Sequence, residues 1–211
     1  KGVFLARDPY GIKPLYYSDN GETLRLASQV KALLLGGAIS RAPNPAGHIG
    51  FFTLGYVPEP HTMYRDINSL SAGTYAWFDC TGKKEFKTYF CLRKEMIELE
   101  KQNLDVSSPH LRSALLESVE HHLVSDVPVG VFLSAGLDSS SILSYASEIS
   151  RDPLESITLN FDEFSGSHSN ESPLAKEVAG LFQSNHYAPT INADDFSNIR
   201  SNLIESMDQP S

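Results

Sequence analysis

The chain lacks most of the features that mark the large functional classes. It has only two cysteines, Cys80 and Cys91, in 211 residues. Neither a CxxC spacing nor a disulfide framework can be built from them, so a reducing compartment fits and both are read as structural. No apolar run approaches the roughly 18–20 residues that a membrane helix needs, and the opening KGVFLARDPYG carries no signal-peptide core. A soluble, cytoplasmic protein with no membrane partner is the expectation. Basic residues are scarce, with Lys+Arg 17 against Asp+Glu 26 and a net charge of −9. With a sequence pI of about 5.2 and no basic run longer than Lys83-Lys84, nucleic acid is excluded as a partner. The seven histidines include no HExxH, and the adjacent His121 and His122 point about 100° apart on a helix, a poor chelating pair. All seven are read as solvated surface residues. GxSxG and GxxxxGK[ST] are absent, and no GxGxxG follows the apolar strand VGVFL, which removes the serine-hydrolase elbow, the common P-loop and the dinucleotide fingerprint. There is no internal repeat or low-complexity tract. The single Trp77 is read as core.

What is present suffices for one large or two small domains: 41% of residues are hydrophobic and 20% charged, enough to bury a core. The first ninety residues read as strands and turns. GVFLA and PLYY flank the turn DPYG, SDNG leads into the alternating ETLRLAS, and YAWFD, CTGK and EFKTYF form a hairpin. VKALLLGG is a short helix stopped by Gly36 and Gly37, followed by a Pro/Gly-rich passage from Pro43 to Pro60 with no assigned element. Arg7 and Asp8 are read as structural, the aspartate capping turn amides and the arginine pairing with it.

Near Leu92 the composition turns charged and poor in β-formers, and 92–106 reads as a linker. Beyond it, helix and strand alternate. Ser107 or Ser108 caps a helix running to Val124. VGVFL reads as a central parallel strand covered on both faces, SSILSYASEI as a helix, ESITLNF as a strand and SPLAKEVAGLF as a helix. NHYAP and DDFSNIRSNLIESM follow as strand and helix. The fold class is therefore α/β with an α+β first half.

The informative stretch is VFLSAGLDSSS, residues 131–141, where the first strand of the parallel sheet turns into its helix. Ligands bind in that crevice. Ser134, Ala135 and Gly136 are small enough for backbone amides to approach a ligand, and a helix beginning near Ser139 offers unpaired N–H groups and its positive dipole end. Those groups, with the hydroxyls of Ser134, Ser139 and Ser140, suit phosphate oxygens. Asp138 suits them only through a magnesium ion, so a carboxylate in this loop points to a metal-bound polyphosphate. The plain alternative is a serine N-cap and a glycine turn before an ordinary helix.

SAGLDSS resembles the SGGxDS pyrophosphate loop of the ATP pyrophosphatases, and SDVPVGVFLSAGLDSSSI resembles the start of the synthetase domain of glutamine-dependent asparagine synthetases. ARDPYGIKPLYY and LASQVKALL resemble a late part of the same family's glutaminase domain. Ala135 stands where the family usually has glycine, a methyl group that is tolerable at negative φ. The resemblance implies that 1–91 is the C-terminal part of an Ntn-type glutaminase β-sandwich. It implies that 107–211 is the N-terminal part of a Rossmann-like, parallel-sheet ATP pyrophosphatase domain.

By the same resemblance, Ser134, Ala135, Gly136, Leu137, Asp138, Ser139 and Ser140 hold pyrophosphate, with Asp138 on Mg2+ and essential to catalysis. The backbone near Phe132 and Leu159 contacts the adenosine of ATP. The implied reaction is adenylation of a carboxylate, aspartate expected, followed by amidation with glutamine-derived ammonia. An amide-forming relative with another acceptor, in β-lactam, peptide or polysaccharide biosynthesis, and a non-catalytic nucleotide-binding module are the alternatives. The family's N-terminal cysteine and its SGEGxDE segment have no counterpart here, which implies an interior piece, inactive alone. Asp208 is read as a helix-terminal surface residue, and the family allows a homodimer.

Overall fold

The computed structural model describes residues 1–102, 107–167 and 169–210; residues 103–106 of the expected linker, His168 and Ser211 lie outside the described residues. The chain divides into two compact units, one of residues 1–104 with 203–211 and one of residues 105–202.

In the first unit, strands β1 (Gly2–Ala6), β2 (Tyr16–Asp19) and β3 (Leu24–Ala27) precede helices α1 (Val30–Leu35) and α2 (Pro45–Leu54). Strands β4 (Asn68–Ser69), β5 (Thr74–Asp79) and β6 (Lys84–Thr88) and helix α3 (Leu92–Lys101) follow. They build two antiparallel sheets, β1-β5-β6 and β3-β2-β4. Strand alternation decides which residue faces what. On β2, Tyr17 packs with Leu5, Leu70, Ala76 and Phe78 of one cluster, whereas its neighbour Tyr16 packs with Val30, Leu33 and Ile67 of another. The β3-β2-β4 sheet is thus covered by the other sheet on one face and by α1 on the other.

Both hairpins expected from the sequence form. Asp79 turns the second, accepting from the hydroxyl and amide of Thr81 and the amide of Lys83. These bonds, the Thr81 hydroxyl foremost, hold its carboxyl below the usual carboxylate value.

Three expectations change. The passage after Pro43 contains α2, with Pro45 in its first turn, Asn44 accepting from the Ala46 amide and Gly55 closing it at φ +81°. Its glycines, which argue against a helix, are contact points: a Cβ on Gly47 would lie 2.1 Å from the Thr62 carbonyl oxygen and one on Gly50 2.2 Å from the Pro58 ring. Trp77 is 41% exposed rather than core, its ring lying over Gly2. Arg7 does not hydrogen-bond Asp8.

Asp8 does cap its turn, accepting from the amides of Lys13, Ile12 and Tyr10, and these bonds hold its carboxyl below the ordinary value. The Arg7 guanidinium, 8% exposed, instead donates to the carbonyls of Lys13 (3.0 Å), Leu70 (2.6 Å) and Gly11 (2.8 Å) and to the Ser69 hydroxyl (2.9 Å). It also pairs with Glu59.

In the second unit, α4 (Ser108–His122), β7 (Gly130–Phe132), α5 (Leu137–Ile149), β8 (Glu155–Ile157) and β9 (Asn160–Phe161) are followed by α6 (Ser172–Leu181). Strands β10 (Asn185–Tyr187) and β11 (Thr190–Ile191) and helix α7 (Ala193–Ser206) complete the order. The sheet β10-β8-β7 is parallel throughout, and β9 and β11 form a second parallel pair. Its core joins Val131 and Leu133 to Leu143 and Ala146 of α5 and to Ala175 and Ala179 of α6.

Among the described residues, the apolar run VGVFL, expected at the centre, lies at the edge of its sheet. Val131 and Leu133 face the helices while Phe132, on the opposite face, is 76% exposed, so burial is one-sided and β8 takes the central place. The expected strand ESITLNF divides at Thr158 and Leu159 into β8 and β9. No helix is long and apolar enough to cross a membrane among the described residues.

Two histidines depart from the solvated reading. His48 Nε2 lies 3.2 Å from the Met63 carbonyl. On β10, His186 Nδ1 lies 2.9 Å from the Ser156 hydroxyl, itself 2.8 Å from that of Ser184, while Nε2 is buried without a partner.

Arg7→Met should cost about 3 kcal/mol, since it strips a buried set of acceptors of their donor; urea unfolding measures it, and a loss within about 0.5 kcal/mol of zero would show that these bonds do not hold the unit together. Burial, with a smaller push from Lys176, holds His186 below the ordinary imidazole value. The unfolded chain therefore protonates first as pH falls: the contribution is full above about pH 6.5 and is lost as pH drops through the lowered folded value. Urea midpoints at about pH 7.5 and about pH 5 should show a drop that shrinks in His186→Leu; an identical drop in the variant would assign it to other groups.

Candidate functional site

The site begins where β7 ends. Parallel pairing sets Phe132 opposite Ile157, and the ladder continues one residue further through the Leu133 amide, which donates to the Ile157 carbonyl at 2.8 Å. The Thr158 hydroxyl donates to the Leu133 carbonyl. With Leu133 buried in the core, the chain leaves the sheet at a fixed point, and residues 134–136 must turn it into α5 within one short loop.

Serine hydroxyls close that loop. Ser139 Oγ accepts from the Ser134 amide at 3.2 Å, lies 3.1 Å from Ser134 Oγ and donates to the Gly136 carbonyl at 3.3 Å. Ser134 Oγ accepts from the Gly136 amide at 3.4 Å. Gly136 is the N-cap residue, and α5 starts at Leu137, two residues before the expected Ser139. Asp138 therefore lies in the first helical turn, where a negative charge is favoured by the helix dipole. Its side chain is exposed and takes part in none of the ion pairs of the described residues. The amides of Leu137, Asp138 and Ser139 have no carbonyl one turn back inside the helix, so the turn presents donors to an incoming anion.

Ala135 has φ +57°. The left-handed region costs a residue with a Cβ roughly 1–2 kcal/mol, so the negative φ under which a methyl group was acceptable is not what the loop adopts. Contact of the methyl side with the Val131–Leu143 cluster offsets part of that strain.

A cavity of about 290 Å3 opens beside the loop, lined by Phe132, Leu133, Ser134, Ile157, Thr158, Leu159 and Glu171. It joins three of the residues singled out in the sequence, Phe132, Ser134 and Leu159, although they come from two strand ends. Leu137 projects into solvent at 85% exposure, and Ser140 is half-buried, its amide bonded to the Gly136 carbonyl at 3.0 Å. A neighbouring cavity of about 230 Å3 shares Leu159 and Glu171 and adds Asn160, Phe161, Phe164, Ser169 and Asn170.

Thr158 and Glu171 were not singled out from the sequence. Their signal was positional: one follows the second parallel strand, the other is the N-cap residue of the next helix, and both places lie at the ligand-binding edge of such a sheet.

Among the described residues, no cluster of three or more His, Cys, Asp or Glu is placed to hold a metal ion. One exposed carboxylate beside a phosphate-sized donor set nonetheless fits magnesium, which takes one or two carboxylates with substrate phosphates and water.

Comparison with known proteins also divides the chain near residue 100. Residues 1–90 match the glutamine amidotransferase domain and residues 110–211 match asparagine synthase. The chain belongs to the glutamine-dependent asparagine synthetase family. It is 31% identical over 208 residues to asparagine synthetase [glutamine-hydrolyzing] 1 of Bacillus subtilis, covering 99% of this chain and 32% of that protein. A putative asparagine synthetase [glutamine-hydrolyzing] of Mycobacterium bovis is 30% identical over 213 residues, with 99% and 32% covered. Amidase chyE of Penicillium rubens is 27% identical over 196 residues, with 84% and 28% covered. The chain spans about a third of the length of the curated relatives it matches.

Ala135→Gly should raise stability by about 0.5–1 kcal/mol by releasing the left-handed strain, net of the added freedom of the unfolded chain. Denaturant midpoints check this, and a destabilised variant would show that the methyl contact outweighs the strain.

Proposed function

We propose that the protein carrying this chain is an ATP-dependent, amide-forming ligase that adenylates a carboxylate, with aspartate the expected substrate. The observation that carries this is the serine-closed loop after β7, which leads from Ser134, in the lining of the cavity shared with Phe132 and Leu159, into a helix turn with free amides and the exposed Asp138. Ser134, Ala135, Gly136, Leu137, Ser139 and Ser140 hold the β- and γ-phosphates through amides and hydroxyls. Backbone groups near Phe132 and Leu159 take the adenosine.

A carboxylate oxygen of the substrate attacks the α-phosphorus; the bond from that phosphorus to the bridging oxygen breaks, and pyrophosphate leaves with the electron pair. Ammonia released from glutamine then attacks the acyl carbon, gives up a proton, and AMP departs, leaving an amide. The loop dipoles stabilise the charge that grows on the leaving pyrophosphate, an electrostatic term already oriented before reaction. Magnesium, held by Asp138 and the phosphates, would supply further charge neutralisation.

We read 1–91 as the C-terminal part of an Ntn-type glutaminase sandwich, a reading supported by its two face-packed antiparallel sheets. Residues 92–106 connect it to the N-terminal part of a Rossmann-like synthetase domain, 107–211, supported by the parallel sheet. The similarity to a protein named as an amidase favours, as a second reading, the same two-part plan applied to another acceptor. Small molecules are the proposed substrates, the setting is cytoplasmic, and two copies form a homodimer.

ATP–pyrophosphate exchange measured on the intact protein that contains this chain should depend on aspartate and fall at least about 100-fold in Asp138→Ala. Exchange with a different carboxylate would select the second reading, and undiminished exchange in the variant would remove Asp138 from the site.

A further inference from the structure

The last described residues belong to the first unit, not to the unit that precedes them in sequence. The chain leaves that unit after α3 and returns to it within α7, so the second unit is, in sequence, an insertion into the first. Side-chain chemistry at the return is specific. Both carboxylate oxygens of Asp208 accept from the start of α1, from the Val30 amide at 2.7 Å and from the Lys31 amide at 2.9 Å. Gln29, the residue in the N-cap position of α1, makes no side-chain cap of its own. Lys31 Nζ in turn donates to the Ser206 carbonyl at 2.8 Å and reaches that of Glu205 at 3.5 Å, both in the last turn of α7.

Each helix end is thus satisfied by a side chain from the other strand of the junction. An acid sits on an N-terminus and a base on a C-terminus, the arrangement that both dipoles favour. Gln209 adds a third fixing point with both halves of its amide, Oε1 accepting from the Met63 amide at 3.0 Å and Nε2 donating to the Tyr16 hydroxyl at 3.2 Å. Tyr16 and Val30 belong to the same cluster under the β3-β2-β4 sheet, so the three contacts close on one core.

We propose that Ser206 to Gln209 form a latch that completes the first unit, with Asp208 and Lys31 as a reciprocal helix-capping pair and Gln209 as its lock. The first compact unit is then built from two separate stretches of chain, the second of which lies within the part that matches asparagine synthase. Asp208 replaces the missing cap of α1, and α1 in turn seals the outer face of the sheet. This assignment does not depend on which reaction the protein performs.

Amide hydrogen exchange on the full chain tests the latch. In Asp208→Ala, exchange at Val30 and Lys31 should accelerate about tenfold, a typical effect of losing a cap, with protection of the β7–β8 ladder unchanged. Asp208→Asn should restore most of the protection, because an N-cap needs an acceptor more than a charge. Lys31→Met should loosen the Met207 amide, which donates to the Leu203 carbonyl in the last turn of α7. Its effect should be less than additive with that of Asp208→Ala, since both open one junction. Unchanged exchange at Val30 and Lys31 in Asp208→Ala, or full additivity of the two variants, would overturn the proposal. Should Asp208→Ala fail to fold, Gln209→Ala carries the same test at the Met63 amide.

Discussion

Everything proposed for the second unit depends on how firmly the end of β7 is held. Leu133 is the hinge of that constraint: its side chain is buried, its amide is bonded to Ile157 and its carbonyl accepts from the Thr158 hydroxyl. A strand end fixed by a side chain and both backbone groups gives the following loop a defined origin. Residues 134–136 then have few conformations that reach α5, and the Ser134–Ser139 bonds select one of them. The helix amides acquire their direction from packing several residues away, because Leu143 and Ala146 seat α5 in the same cluster as Leu133. Preorganised donors of this kind need no reorientation when charge develops near them.

The first unit is organised around a different kind of constraint. Arg7 gathers acceptors from three separate chain segments, residues 11–13, residue 59 and residues 69–70. A buried guanidinium is tolerated because its donors have acceptors in fork geometry, and removing it would leave those carbonyls unpaired. The Tyr89 hydroxyl donates to the Arg7 carbonyl at 2.6 Å, which ties the end of the β5–β6 hairpin to the same residue. Three chain segments are thereby tied to the end of β1 through one residue.

The legible parts of the sequence were those with local causes. Hairpin turns at SDNG and CTGK, the proline-started α4 and α6, and the alternation of apolar strands with helices all follow from short-range rules, and each has its element in the structure. The loop SAGLDSS was legible because small residues, hydroxyls and an acid occur together at a strand end. Opaque parts needed knowledge of a distant partner. Gly47 and Gly50 signal a broken helix until Thr62 and Pro58 are seen against them. VGVFL reads as central until its burial proves one-sided, and Arg7 beside Asp8 reads as an ion pair until Glu59, far along the chain, takes the guanidinium. Asp208 reads as a surface residue because α1, whose end it caps, lies 178 residues away.

A chain of net charge −9 that is proposed to hold a polyphosphate faces an electrostatic problem, and its loop does not solve it with side-chain cations. No lysine or arginine occurs between Val131 and Glu148. The favourable charges that this stretch itself supplies are partial ones, on the amides opening α5, whose effect fades beyond the first turn. Partial charges acting at hydrogen-bond distance give orientation and little long-range attraction. Asp138 beside those amides would repel a bare phosphate, so the acid makes sense only when a divalent cation reverses the local sign. On this reading the loop is selective for a metal-complexed anion over a free one, and discrimination follows from the carboxylate that seemed least suited to an anion site.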